Sequence, residues 1–116
     1  MKYLALIRSS ESEWESLTDE QRQEWYGRYR AFSEEAGARM TDGAELQPSS
    51  TATTVRVRSE KTQVTDGPFA ETREQIAGYF VFDCQSMDEA VELAAKIPGA
   101  LHGTVEVRAH HEEATS

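Results

Sequence analysis

The chain is poor in the residues that build the commonest small functional centres. It has one cysteine, Cys84, with three histidines and three prolines in 116 residues. One thiol cannot close an internal disulfide, and it cannot supply a two-cysteine redox pair or a cysteine-rich zinc site. His102 stands alone ahead of the last apolar segment. His110 and His111 are adjacent in a polar tail and lack the spacing of three or four converging ligands. No metal is expected. Cations are scarce as well: 12 Lys and Arg face 21 Asp and Glu, for a net charge of −9. Phosphate attraction supplies most non-specific affinity for nucleic acid, so no nucleic-acid partner is expected. Apolar runs are short. The opening Tyr3-Leu4-Ala5-Leu6-Ile7 run ends at Arg8, below the roughly 7–15 residues of a secretory segment and the ~20 of a bilayer span. The expectation is a cytoplasmic protein without a membrane partner. Glycine-rich phosphate loops are missing, and no cofactor is expected. No serine–histidine–acid arrangement suggests a nucleophile triad.

What is present suffices for one core. Hydrophobic residues make up 38% of the chain and aromatics 9%, too many for a disordered acidic tail. The length fits one domain, read as residues 1–109, followed by a polar tail at 110–116. Residues 2–8 read as a strand apolar on both faces, with Tyr3, Ala5 and Ile7 on one side and Leu4 and Leu6 on the other. Trp14 and Leu17 suggest a short helical turn. Thr18 followed by Gln21 forms a capping-box pattern. Trp25, Tyr29, Phe32 and Ala36 then recur at steps of four, three and four, which predicts a helix over 19–36 closed by Gly37. This stripe reads as core. Residues 40–47 read as a short strand broken at Asp42-Gly43. Residues 53–58 and 61–65 alternate as a hairpin with one wet face. Residues 76–84 are the most apolar strand. Ser86 and Glu89 cap a second helix whose stripe is read as Met87, Ala90, Val91, Ala94 and Ile97. Pro98-Gly99 stops it, and residues 104–108 alternate as a last strand.

The order is strand, helix, strand, hairpin, strand, helix, strand. Without the hairpin this is βαββαβ, an α+β ferredoxin-like arrangement with an inserted β-hairpin. Two helices cover one face of a four-stranded sheet, yet two strands are apolar on both faces. A second copy of the chain is the expected cover, because most soluble oligomers are symmetric homodimers.

Thr53-Thr54-Val55-Arg56-Val57, the run from Val64 through Asp66-Gly67-Pro68-Phe69 to Gln75, and Gly78-Tyr79 resemble the YCII-related family, and more narrowly its branch named for the Asp-Gly-Pro-Phe (DGPF) motif. Pro98-Gly99 and Val105-Glu106-Val107-Arg108 match as well, so the resemblance runs from Lys2 to about Arg108. It implies a dimeric α+β barrel. Relatives in the wider family are proposed to use a His–Asp pair in a pocket, and lyase-like chemistry on small aromatic compounds occurs there. The branch also hints at a regulatory setting. This chain departs from the pair: no histidine precedes His102, and the early helix offers Tyr26 and Tyr29 instead.

Asp66 is the candidate catalytic residue, as an acid or base working alone, with a tyrosine, or with His102. A carboxylate at a strand end can serve so when its surroundings tune it. Its structural alternative is an Asp-Gly turn. Gly67, Pro68, Phe69 and Tyr79 are the candidate ligand contacts. Phe69 is expected either to anchor the turn in the core or to line the pocket. Glu71, Arg73 and Glu74 could position a polar ligand or form a solvated face. Arg56, Arg58 and Lys61 make the hairpin locally cationic, against Glu11, Glu13, Glu15, Asp19, Glu20 and Glu24 earlier in the chain. Two functions stay open: a cofactor-free lyase or isomerase acting on a small, aromatic-type molecule, and a non-catalytic ligand-binding or regulatory protein using the same pocket.

Overall fold

The computed structural model describes residues 1–70 and 72–111. Glu71 and the last five residues of the tail, 112–116, lie outside the described residues.

Strand β1 (Lys2–Ser9) leads into a short helix α1 (Glu11–Glu15), whose first turn Ser10 caps by accepting a bond from the Glu13 N–H. The long helix α2 (Asp19–Ala36) begins where the sequence places it. Thr18 N–H donates to Gln21 Oε1 at 2.9 Å, and Gln21 N–H donates to Thr18 Oγ1 at 3.1 Å. Each bond satisfies a backbone or side-chain group that a bare helix start leaves open. Arg22 holds the two helices together by donating to the carbonyls of Trp14 and Glu15. Gly37 ends α2 with φ of +55°, a conformation that side-chain-bearing residues rarely adopt. Then follow β2 (Met40–Glu45), β3 (Thr53–Arg58), β4 (Lys61–Asp66), β5 (Gln75–Asp83), α3 (Met87–Ala94) and β6 (Thr104–Ala109).

Four strands form one antiparallel sheet in the order β2-β5-β1-β6, while β3 and β4 pair only with each other. The four-stranded order and the helix connections are compatible with a ferredoxin-like α+β fold. Register divides the main sheet into two faces. Tyr3 sits opposite Phe82, Ala5 opposite Phe80 and Val107, and Ile7 opposite Val105. Phe32 and Ala36 of α2 and Ala90, Leu93 and Ala94 of α3 pack on this face, and with Ile97 and Cys84 they make the core. On the other face Leu4 meets Val81 and Leu6 meets Tyr79. All four are only half-buried, and Glu106 and Arg108 flank them on β6.

Two expectations need correction. The buried residues of α3 are Ala90, Leu93 and Ala94, with Ile97 buried just beyond its end, whereas Met87 is 39% and Val91 50% exposed. Val91 is one step, about 100° of rotation, from Ala90 and falls off the arc that Leu93 occupies. Phe69 does not anchor its turn in the core. It is 76% exposed, and its ring lies 5.3 Å from the Arg56 guanidinium. The turn follows β4 at the base of the hairpin, and there its ring stays exposed.

Cys84 is buried. Burial pushes its thiol pKa up, and the nearby Glu89 carboxylate adds to the rise, so the thiol stays protonated at neutral pH. Because the thiolate is the reactive form, an aromatic disulfide reagent should label Cys84 at least about a hundredfold more slowly in buffer than in urea, through transient opening only. Equal rates, followed by absorbance, would place the residue at the surface. No helix among the described residues is long and apolar enough to cross a membrane.

Candidate functional site

A cleft of about 990 Å³ lies between the middle of α2, from Trp25 to Glu34, and the β2–β5 side of the sheet. Its shape follows from residue size. The C-terminal half of α2 sits down on the sheet through Phe32 and Ala36, both buried. The middle of the helix carries Trp25, Tyr26 and Tyr29, all half-buried, opposite Gly43, Ala44 and Gly78. Large rings facing small residues hold the helix off the sheet. Gly43 is required there: a methyl group on its Cα would lie 2.5 Å from Phe80 Cδ1. Trp14 of α1 closes one end and meets Tyr26 edge-on at 5.6 Å. Trp25 meets Tyr29 at 5.7 Å, and Tyr29 stacks on Phe80 at 6.3 Å. Five aromatic rings therefore line one cavity, an apolar lining suited to flat molecules.

Its polar groups are few and unequal in sign. Tyr29 Oη accepts a bond of 3.2 Å from the Gly99 N–H and makes no other hydrogen bond among the described residues, so its own proton is free to donate. Burial is the main cause of a raised Tyr29 pKa, opposed by the Gly99 bond and aided by Glu45. The hydroxyl is thus a neutral donor at physiological pH. Tyr26 Oη donates to Glu45 Oε1 at 3.2 Å; burial, then the Glu45 charge, raises its pKa too. The lining carries Glu11, Glu15, Glu34, Asp42 and Glu45 against Arg30 alone. That surplus opposes anionic ligands and favours neutral or cationic ones. Trp14 already holds one cation over its ring, the Arg22 guanidinium at 5.2 Å.

The residues singled out from the sequence lie elsewhere. Asp66 is exposed at the end of β4 and makes no side-chain hydrogen bond or ion pair among the described residues. Gly67 carries φ of +99°; its N–H donates to the Ala52 carbonyl at 2.7 Å, and its own carbonyl accepts from Thr54 Oγ1 at 2.8 Å. This ties the turn to the root of β3 and gives the glycine a backbone reason. Gly67 and Pro68 are half-buried. Tyr79 is half-buried on the sheet face away from the helices. None of these five lines the cleft. Arg73, Glu74 and His102 instead gather around a second, more open hollow with Arg8 and Glu13. His102 packs against Trp25 at 5.5 Å and, among the described residues, shares no hydrogen bond, ion pair or hollow with Asp66. Among the described residues no group of three or more His, Cys, Asp or Glu is placed to hold a metal.

The cleft was hidden because Trp25 and Tyr29 read as a core stripe. Trp14 and Tyr26, aromatic residues off that stripe, were the available signal that this region carries more ring surface than a helix–sheet contact needs.

Comparison with known proteins identifies a family. The family model described as the YCII-related domain matches residues 1–112. An uncharacterised protein of Rhizobium meliloti (strain 1021) is 45% identical over 67 residues, covering 56% of this chain and 54% of that protein. The match thus spans about half the length of that curated relative.

Proposed function

We propose, for a chain that belongs to the YCII-related domain family, that the cleft under α2 binds a small, flat, neutral or cationic aromatic molecule. The observation that carries this reading is the conjunction of five rings with the free proton of Tyr29 in one cavity. The rings stack on the ligand, Tyr29 donates to its polar atom, and the carboxylates turn anions away. Binding of this kind serves a sensor or carrier as well as it serves an enzyme.

The dimeric barrel belongs to the same proposal. The half-buried Leu4, Leu6, Tyr79 and Val81 face is covered by a second copy, leaving each cleft on the helix side. Acid–base catalysis by Asp66, with Gly67, Pro68, Phe69 and Tyr79 as ligand contacts, is the second reading. The Asp-Gly-Pro-Phe motif favours it, and it requires a partner's turn to reach a cleft that Asp66 does not line in its own chain.

A pair of probes tests the primary reading. Para-nitrobenzyl alcohol has a ring and a hydroxyl; para-nitrotoluene lacks the hydroxyl. Tyr29→Phe should weaken binding of the alcohol by about 2–10-fold relative to the toluene, since one hydrogen bond contributes about 0.5–1.5 kcal/mol. Comparing two probes on one variant cancels the stability lost when the Gly99 N–H loses its acceptor. Asp66→Asn should leave both affinities unchanged. Equal loss for both probes in Tyr29→Phe, by calorimetry, would remove the hydroxyl from the site. A loss confined to Asp66→Asn would favour the second reading.

A further inference from the structure

One carboxylate of the cleft is tied to its aromatic wall. Glu45 ends β2, two residues after Gly43 and opposite Gly78 of β5. Side chains at i and i+2 share a sheet face, and Gly43 pairs with Phe80, whose ring meets Tyr29 and Phe32 of α2. Glu45 therefore points to the helix side, where Tyr26 Oη donates to its Oε1. Neither glycine puts a side chain beside it, so the hollow reaches the carboxylate itself. Its charge is felt at both hydroxyls of the wall, raising the pKa of Tyr26 and of Tyr29.

No cation neutralises it. Glu45 forms no ion pair among the described residues. The cation of the lining, Arg30, lies back along α2, with Nη2 3.6 Å from where a methyl group on Gly27 would stand. The other lining acids are differently placed. Glu11 accepts from the Ser49 N–H through both oxygens, and Asp42 accepts from the Gly43 N–H. Glu15 and Glu34 are exposed, and their carboxylates accept no hydrogen bond among the described residues. A carboxylate beside ring faces attracts a positive charge twice over, directly and through the negative side of each ring's quadrupole.

We propose, resting on the reading of the cleft given above, that its ligand is an aromatic amine, with its ring among Trp25, Tyr26 and Tyr29 and its ammonium on the open Oε2 of Glu45. A neutral ligand leaves that oxygen unused. A guanidinium is a poorer match, because its fork takes both oxygens of a carboxylate and Tyr26 already holds one. An ammonium is a compact point charge that one oxygen can receive. The proton of Tyr29 is left for an acceptor elsewhere on the ligand.

The test uses the full chain and three probes that share one ring: para-nitrobenzylamine, cationic at neutral pH, the neutral para-nitrobenzyl alcohol, and the anionic para-nitrobenzoate. By calorimetry, wild type should hold the amine at least about tenfold more tightly than the alcohol, as a charge-assisted bond allows, and the benzoate most weakly. Glu45→Gln keeps an acceptor for Tyr26 and removes the charge. It should cost the amine about tenfold and the alcohol less than about twofold. Glu34→Gln removes a lining charge that bonds nothing, and it should cost the amine less than about threefold. An amine held no more tightly than the alcohol in wild type overturns the ammonium site and leaves an aromatic cleft standing. Equal losses of the amine in the two variants overturn the part given to Glu45, since the attraction then belongs to the acidic lining at large. Equal losses of amine and alcohol in Glu45→Gln make Glu45 a structural residue and overturn the pair as well. If none of the three probes saturates, the cleft is no binding site, and the parent reading falls with this one.

Discussion

Phe82→Ala is expected to lower stability by about 3–5 kcal/mol, the cost of emptying a large aromatic site in a packed core. Phe82 is fully buried. It stacks on Phe80 at 5.9 Å, meets Phe32 edge-on at 6.1 Å, and pairs across the sheet with Tyr3. Its ring therefore joins the two central strands to the long helix, and of its neighbours Met40, its cross-strand partner on β2, is the flexible one, too small to replace a whole ring. A domain of this size has about 5–15 kcal/mol in total, so the variant would be partly unfolded at body temperature. The melting temperature should fall by roughly 10 °C or more. Val91→Ala, at a half-exposed site on α3, should cost under about 1 kcal/mol. Equal losses for the two, by urea denaturation, would mean that the aromatic cluster is not the core.

Gly99→Ala is expected to damage both fold and cleft. Gly99 is buried in the turn Pro98–Leu101 behind α2. A methyl group on it would lie 2.8 Å from Tyr29 Oη and 2.9 Å from Ile7 Cγ2. Overpacking of this kind costs about 1–3 kcal/mol. Ile7 is fixed in the core, so Tyr29 is the side chain that yields, and its hydroxyl leaves the Gly99 N–H. Affinity for para-nitrobenzyl alcohol should fall about fivefold or more, with loss of the ligand bond and of ring placement. Gly37→Ala separates the two effects. Its methyl group would meet nothing within 4 Å, but φ of +55° penalises any side chain, by about 1–3 kcal/mol. That variant should lose stability and keep the probe. If both variants lose the probe equally, the binding loss follows general destabilisation and Tyr29 has no special part.

How much of this was legible in the chain depended on whether the signal was local. Helix α2 starts at Asp19 because Thr18 and Gln21 satisfy each other's neighbourhood within four residues, and a pattern that short is visible in sequence. Strand faces followed from alternation: Tyr3, Ala5 and Ile7 differ from Leu4 and Leu6 by which side the backbone presents. Helix α3 was harder. Met87, Val91 and Leu93 are all apolar, and only the direction of approach to β1 and β6 decides that Leu93 is inside. The cleft was harder still. It exists because Gly43 and Gly78, far along the chain, stand opposite Trp25 and Tyr29, and nothing near Trp25 in sequence announces a small partner. The Asp66–Phe69 turn drew attention for its composition. Its glycine has a local explanation in the bonds to Ala52 and Thr54, while Phe69 is exposed among the described residues and touches Arg56.

The chain contains two tryptophans, Trp14 and Trp25, and both line the cleft, so tryptophan emission, excited beyond the tyrosine band, reports on that cavity. Nitroaromatic probes quench tryptophan on contact. Titration of the folded chain with para-nitrobenzyl alcohol should give quenching that saturates, with a midpoint raised in Gly99→Ala. Quenching that rises linearly without limit, with the same slope as for the chain unfolded in urea, would show collisions only and would contradict a binding cleft under α2.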